Sequence, residues 1–408
     1  VIAAIALAAL GLAPAPVVTR SNGITVVAQP DAASTLAGTM LFVRAGLDRQ
    51  SFAQSGLAAL TAETILQTPS AGGLPLRDAI ADAGGSIGYV VDPQSVRFYV
   101  EGLGPDEDRL LGLFASALHA PDLSPATVGR ARAELDRSMG GRSALGIGLQ
   151  MLDGAPAAGT AVSLAQFVPD DVRAFYARAY RAGGALVSAA GAIDPAQTYG
   201  GLASALAPGA STPVGATIPP VAGASHELIA RRDIDVPWLV ARYSAPGYGN
   251  KDFGAMLVLA SFVDKTLGAV AQLPTLISRT SADSAVGSIY AFDRPSSNLT
   301  VYLYGGLGDP SQAFSTALGV FKALGGAPIV GSLDEFKAEA RGRFARDIES
   351  LEDRAWIAGV FAQSGGSADY LGRTFASIDA VTSADLRRVA RRYLGDPTIA
   401  LVLPRQGG

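Results

Sequence analysis

Hydrophobic positions along the chain recur in two rhythms, by twos and by threes and fours, and these rhythms alternate in blocks. Asn22-Gly23 followed by the β-branched run Ile24-Thr25-Val26-Val27 marks a tight turn opening a strand. Leu36 to Ala45 reads as a second strand, stopped by Gly46. From Ser55 to Leu66 the spacing becomes helical, and Pro75 to Ala83 is a further helix with Pro at its first position and Gly84-Gly85 as its stop. A strand over 95–103, helices over 109–120 and 124–139, a loop-like stretch from Gly140 to Gly159, a helix over 169–181 and a strand over 185–190 complete the first half.

The Pro-, Gly-, Ser- and Thr-rich segment 208–223 reads as a linker, after which the order repeats. The second half predicts strands over 238–243, 284–292 and 298–304, and helices over 251–266, 310–324, 332–350, 353–363 and 383–394. A last strand covers 399–403. The heptamer Phe167–Arg173 has a counterpart 214 positions later in Val381–Arg387, each entering a helix with an Asp near its N-terminus. The expectation is an α+β chain of two related halves, 17–207 and 224–408, joined by the linker 208–223.

Composition narrows the chemistry. The 408 residues include no Cys and two His, with charged residues at 17% and a net charge of -4. Disulfides, thiolate metal sites and thiol nucleophiles are excluded, and no basic footprint for nucleic acid exists. His119 and His226 lie too far apart in sequence for a zinc site on one helix. Residues 1–16, VIAAIALAALGLAPAP, form an apolar run ending in small residues, shorter than the ~20 residues a spanning helix needs. It reads as a signal peptide, placing the mature chain in a bacterial periplasm or outside the cell, with no membrane segment. No phosphate-loop or nucleophile-elbow motif occurs, and the arginine runs on helices read as solvated faces.

At Gly56-Leu57-Ala58-Ala59-Leu60-Thr61-Ala62-Glu63 the chain resembles the insulinase-like zinc peptidases, the family of pitrilysin and mitochondrial processing peptidase. That family reads G-L-A-H-x-x-E-H here, after a strand ending in Ala-Gly, matched by Arg44-Ala45-Gly46. Asn22-Gly23-Ile24, Phe175 with Tyr180, Gly191-Ala192-Ile193 and Val381 to Leu394 follow in the family's order. The resemblance implies two α+β domains of insulinase type, each a sheet packed with helices. In the motif, two His at i and i+4 bind zinc from one helix face and the Glu serves as general base.

On this chain the first His position is Ala59, the Glu position is Ala62 and the second His position is Glu63. The family's third ligand, a Glu, falls near Glu134 or Asp136. The resemblance therefore implies a degenerate site with no metal, no cofactor and no catalytic residue. Two-chain members carry a substrate-gripping Arg and Tyr in the non-catalytic subunit. The matching region here offers Arg279 and Tyr290 without the family's spacing. The implied role is a non-catalytic subunit, paired with a zinc-bearing homologue around a peptide chamber. The alternative is a self-associating peptide-binding or scaffold protein.

Overall fold

In a computed structural model the protein is described at residues 16–140, 143–153, 157–194, 196, 199–210, 227–270, 285–292, 297–304, 319, 323–326, 331–364 and 369–405. Most of the signal-peptide run, most of the linker, His226, Arg279 and all but a few positions of the helix expected over 310–324 lie outside the described residues. Among the described residues no helix is long and apolar enough to cross a membrane.

The chain divides into two units, each a mixed sheet with helices. The first unit holds strands β1 (Val17–Ser21), β2 (Ile24–Pro30), β3 (Leu36–Val43), β4 (Ser86–Val91), β5 (Val96–Leu103), β6 (Arg181–Gly183), β7 (Leu186–Gly191) and β8 (Ala207–Ala210). Its main sheet runs β1-β2-β7-β3-β5-β4, with β2 and β7 parallel and the other neighbours antiparallel; β6 and β8 pair separately. The second unit holds β9 (Glu227–Arg232), β10 (Trp238–Ser244), β11 (Ala285–Ala291), β12 (Asn298–Tyr304) and β13 (Thr398–Pro404), in the order β11-β12-β10-β13-β9.

Here β9 and β13 are the parallel pair. Reading β2, β7, β3, β5, β4 against β9, β13, β10, β12, β11 gives the same neighbours and the same directions. The duplication suggested by one heptamer is thus present in the whole topology. At the heptamer itself, the Val168 N–H donates to Asp171 Oδ2 at 2.9 Å and the Thr382 N–H donates to Asp385 Oδ2 at 3.1 Å. Both helices are started by the same reach-back carboxylate.

The halves do not stay separate. Residues Ala345–Tyr370 belong to the first unit and Arg142–Gly154 to the second, so the division at 208–223 is crossed twice. Helix Leu351–Gln363 packs on β7, β3 and β2; helix Ala144–Asp153 packs on β13 and β10. The reason lies in the central strands. Residues 37–43 of β3 and all of β7 are buried without alternation, so both sheet faces need a cover. One face is covered by helices of the same half and the other by the crossing helix.

The close approach explains why Gly140–Gly159 reads as a loop and yet contains Ala144–Asp153. Gly146 and Gly148 interrupt the helical pattern, but a Cβ at Gly148 would lie 2.7 Å from Val240 Cγ2. The glycine there is a packing requirement rather than a break. Gly359 is its counterpart on the other crossing helix, where a Cβ would lie 2.3 Å from Phe42 Cε2.

Polar contacts fix both crossing helices. Arg354 Nη1 meets Asp31 Oδ2 at 2.9 Å, Gln29 Nε2 donates to the Arg354 carbonyl at 3.2 Å, and Tyr370 Oη donates to Gln29 Oε1 at 3.0 Å. In the second unit Arg242 Nη1 donates to Asp153 Oδ1 at 2.6 Å. The strands β4, β6, β8 and β9 and the helices Ala161–Gln166, Gly200–Ala205 and Tyr370–Asp379 are additions to the expected elements, and β8 takes up residues 208–210, where linker was expected. All but Tyr370–Asp379 are short or lie at an edge, where the hydrophobic period has little length in which to register.

Gly359→Ala puts a methyl against a buried ring. Its overpacking cost of ~1–3 kcal/mol exceeds the gain of ~1 kcal/mol from removing a helical glycine. Denaturant titration should show a net loss, whereas Gly112→Ala, whose Cβ meets nothing within 4 Å, should gain ~0.5–1 kcal/mol. A second expectation concerns acid. The hydrogen bond from Arg354 holds the Asp31 carboxyl below its ordinary value, against the opposing effect of burial. Its stabilisation is complete above the unfolded pKa of ~4 and is lost as pH falls through the depressed folded value. Asp31→Asn should therefore lower stability at neutral pH, with the gap to the wild type closing as pH falls below about 4.

Candidate functional site: a degenerate metal-site helix

Helix Leu57–Leu66 is buried at all ten positions. Gly56 enters it with φ of 95°, and the first turn is satisfied by Gln50, whose Oε1 accepts from the Ala58 N–H at 2.9 Å. Thr61 and Thr64 turn their hydroxyls back onto the carbonyls of Leu57 and Leu60, at 2.8 and 2.6 Å, so neither exposes a polar group to the core. Ala59 and Glu63, four apart, share a face, with Ala62 beside them.

Ala59 and Ala62 carry no atom that can bind a metal or take a proton. The Ala59 carbonyl accepts a hydrogen bond from Tyr89 Oη of β4 at 3.3 Å. Glu63 carries the carboxylate of this face, and both its oxygens are engaged. Oε1 accepts from Gln67 Nε2 at 3.0 Å, and Oε2 accepts from Arg77 Nη2 at 2.9 Å. The Glu63 side chain is 3% exposed and that of Arg77 is 35% exposed, so the pair joins a buried anion to a half-exposed cation.

Arg77 comes from helix Leu76–Asp82. Burial pulls its pKa down, but the hydrogen bond and charge of Glu63, assisted by Glu134, outweigh this and hold the guanidinium above its ordinary value. Tyr89 is raised well above its ordinary value by burial first and then by the Glu63 charge. Glu134, on helix Pro125–Gly140, pairs with Arg137 at 2.6 Å.

Ala59, Ala62 and Glu63 lie on one buried helix, Glu134 lies on a helix packed against it, and the cation among them is Arg77. Two alanines and a carboxylate already bonded to a guanidinium do not fit zinc. Among the described residues no group of three or more His, Asp or Glu could hold a metal ion. Arg77 escaped the sequence reading because nothing in Leu76-Arg77-Asp78 distinguishes it from a solvated helix arginine; only the fold sets it against Glu63.

Tyr290 lies on β11, its hydroxyl donating to the Pro246 carbonyl and its ring set 6.0 Å from Phe253 and 5.6 Å from Phe292. Burial raises its phenol strongly. The hydroxyl is therefore engaged by the segment that follows β10. Asp136 is exposed, and His119 is an exposed residue at the end of helix Glu107–His119.

The two-unit α+β fold recurs in solved structures. The chain is similar in structure to a protease from Helicobacter pylori, with a TM-score of 0.78 at 16% identity, over 96% of this chain and 100% of that one. It is equally similar to a peptidase M16 inactive domain from Pseudomonas fluorescens, with a TM-score of 0.78 at 15% identity, over 96% of this chain and 99% of that one. An M16-like peptidase from Alicyclobacillus acidocaldarius gives a TM-score of 0.73 at 14% identity over 97% and 99%. No protein-family model and no curated protein matches the sequence. The insulinase-like fold expected from the motif helix and its flanking passages is the fold of this chain.

Arg77→Ala leaves the Glu63 carboxylate buried without its cation. Since the pair is partly solvated, a loss of ~1–3 kcal/mol is expected, less than for a fully buried pair. Adding Glu63→Gln should recover much of it, giving a coupling free energy in a double-mutant denaturation cycle. Additive losses would show that the two side chains do not interact.

Proposed function

We propose that this chain is the non-catalytic subunit of a peptidase pair, forming half of a peptide-enclosing chamber with a zinc-bearing homologue. The observation that carries this reading is the motif helix: its backbone and burial are kept while its ligand and base positions are alanine and its carboxylate is bonded to Arg77. A structural neighbour described as an inactive domain supports it, since the fold tolerates loss of the chemistry.

The physical logic is that apolar burial and the crossing helices hold this fold, so the ligands can be lost without losing the surfaces that enclose a substrate. Among the described residues β4 pairs only with β5. Its other edge offers backbone groups to an extended peptide, the usual mode of strand addition. Arg279 and Tyr290 are carried by resemblance as substrate contacts, and export to a periplasm or out of the cell is proposed from the leader-like run 1–16.

Co-expression with a homologue bearing the intact His-x-x-Glu-His motif tests the proposal. The two chains should elute as one complex, and peptide cleavage by the partner should rise at least several-fold in the presence of this chain. Separate elution with unchanged partner activity contradicts it; self-association of this chain alone supports the scaffold reading instead.

A further inference from the structure

Helix Pro169–Ala179 and the short pair β6 and β8 frame an open pocket of about 420 Å³, lined by Ala174, Ala177, Arg178, Arg181, Pro208 and Ala210. Two of its six walls are guanidinium groups, and their partners are neutral. Arg178 Nη2 donates to the Arg49 carbonyl at 2.9 Å, while its Nε is buried with no partner among the described residues. Arg181 Nη1 donates to the Pro208 carbonyl at 3.4 Å.

The residues linked to the pocket are also cationic. Arg49, with a side chain 9% exposed, donates from Nε to the Arg44 carbonyl at 3.2 Å and has its Nη1 buried without a partner among the described residues. Arg44 donates to Gln94 Oε1 at 3.0 Å. The one carboxylate in contact with these four arginines among the described residues is Asp48, 3.6 Å from Arg49. The chain that follows β8 supplies none, because residues 211–226 contain neither Asp nor Glu. Burial lowers the pKa of Arg178, with no carboxylate opposing it.

Desolvating a guanidinium without a counter-charge is costly, and guanidinium forks match oxyanions in geometry. The alanine and proline walls meanwhile suit a small apolar body. We propose that Arg178 and Arg181 form an anion-binding site for a small ligand bearing a phosphoryl or carboxylate group. This site is separate from the motif helix and stands whether or not the chain partners a peptidase.

Calorimetric titration of the full chain with inorganic phosphate, and separately with acetate, at constant ionic strength tests the site. One saturable site is expected, with phosphate tighter if the ligand is phosphorylated and acetate tighter if it is a carboxylate. Arg181→Gln should weaken binding about tenfold, the loss of one charge-assisted contact. Arg178→Gln should do the same. Arg181 makes one carbonyl contact, so its variant keeps the fold, which circular dichroism checks. Arg173→Gln, on the same helix and paired with Asp170, should bind as the wild type does. Absence of saturation with both anions, or an unchanged affinity in Arg181→Gln, overturns the proposal.

Discussion

The fold depends on the second face of each sheet being covered at very short range. Strands as apolar and small as Leu36–Val43 and Leu186–Gly191 cannot leave one face in water. Each sheet is closed by a helix drawn from the other half of the chain, approaching through a glycine: Gly359 against Phe42 in the first sheet, and Gly148 against Val240 in the second. Jigsaw contacts of this kind tolerate little change in volume. They also couple the two halves, because neither contiguous half contains every element that buries its own sheet.

That arrangement frees the motif helix from any structural need for a metal. Leu57–Leu66 is held by ten buried residues and by threonines that satisfy their own hydroxyls. What the site needs is compensation for one buried carboxylate. Arg77 provides it from the next helix, with Gln67 completing the hydrogen bonds. The position that the resemblance aligns with a metal ligand is an ion-pair position here, and its polarity is balanced within the protein.

Much of this was legible in the chain. The central strands and the long described helices stand out because hydrophobic period and Pro/Gly punctuation agree there. The motif helix could be placed because Gly56-Leu57-Ala58 and the preceding Arg44-Ala45-Gly46 keep their order around the missing ligands. The crossing of the halves was not legible, since which sheet a helix covers is a long-range fact that local period does not encode. Ala144–Asp153 was hidden for a second reason: the glycines that permit its close approach are the same residues that signal a loop. Arg77, Arg178 and Arg181 look like ordinary surface arginines until the fold shows which carboxylates they have and which they lack.

The most direct test of the account is the metal itself. Zinc titrated into the purified, metal-stripped chain and followed by calorimetry and elemental analysis should bind neither stoichiometrically nor tightly. Glu63→Ala should leave that result unchanged, because Glu63 serves Arg77. Tight binding of one zinc per chain, abolished by Glu63→Ala, would contradict the reading of this helix as a metal site turned ion pair.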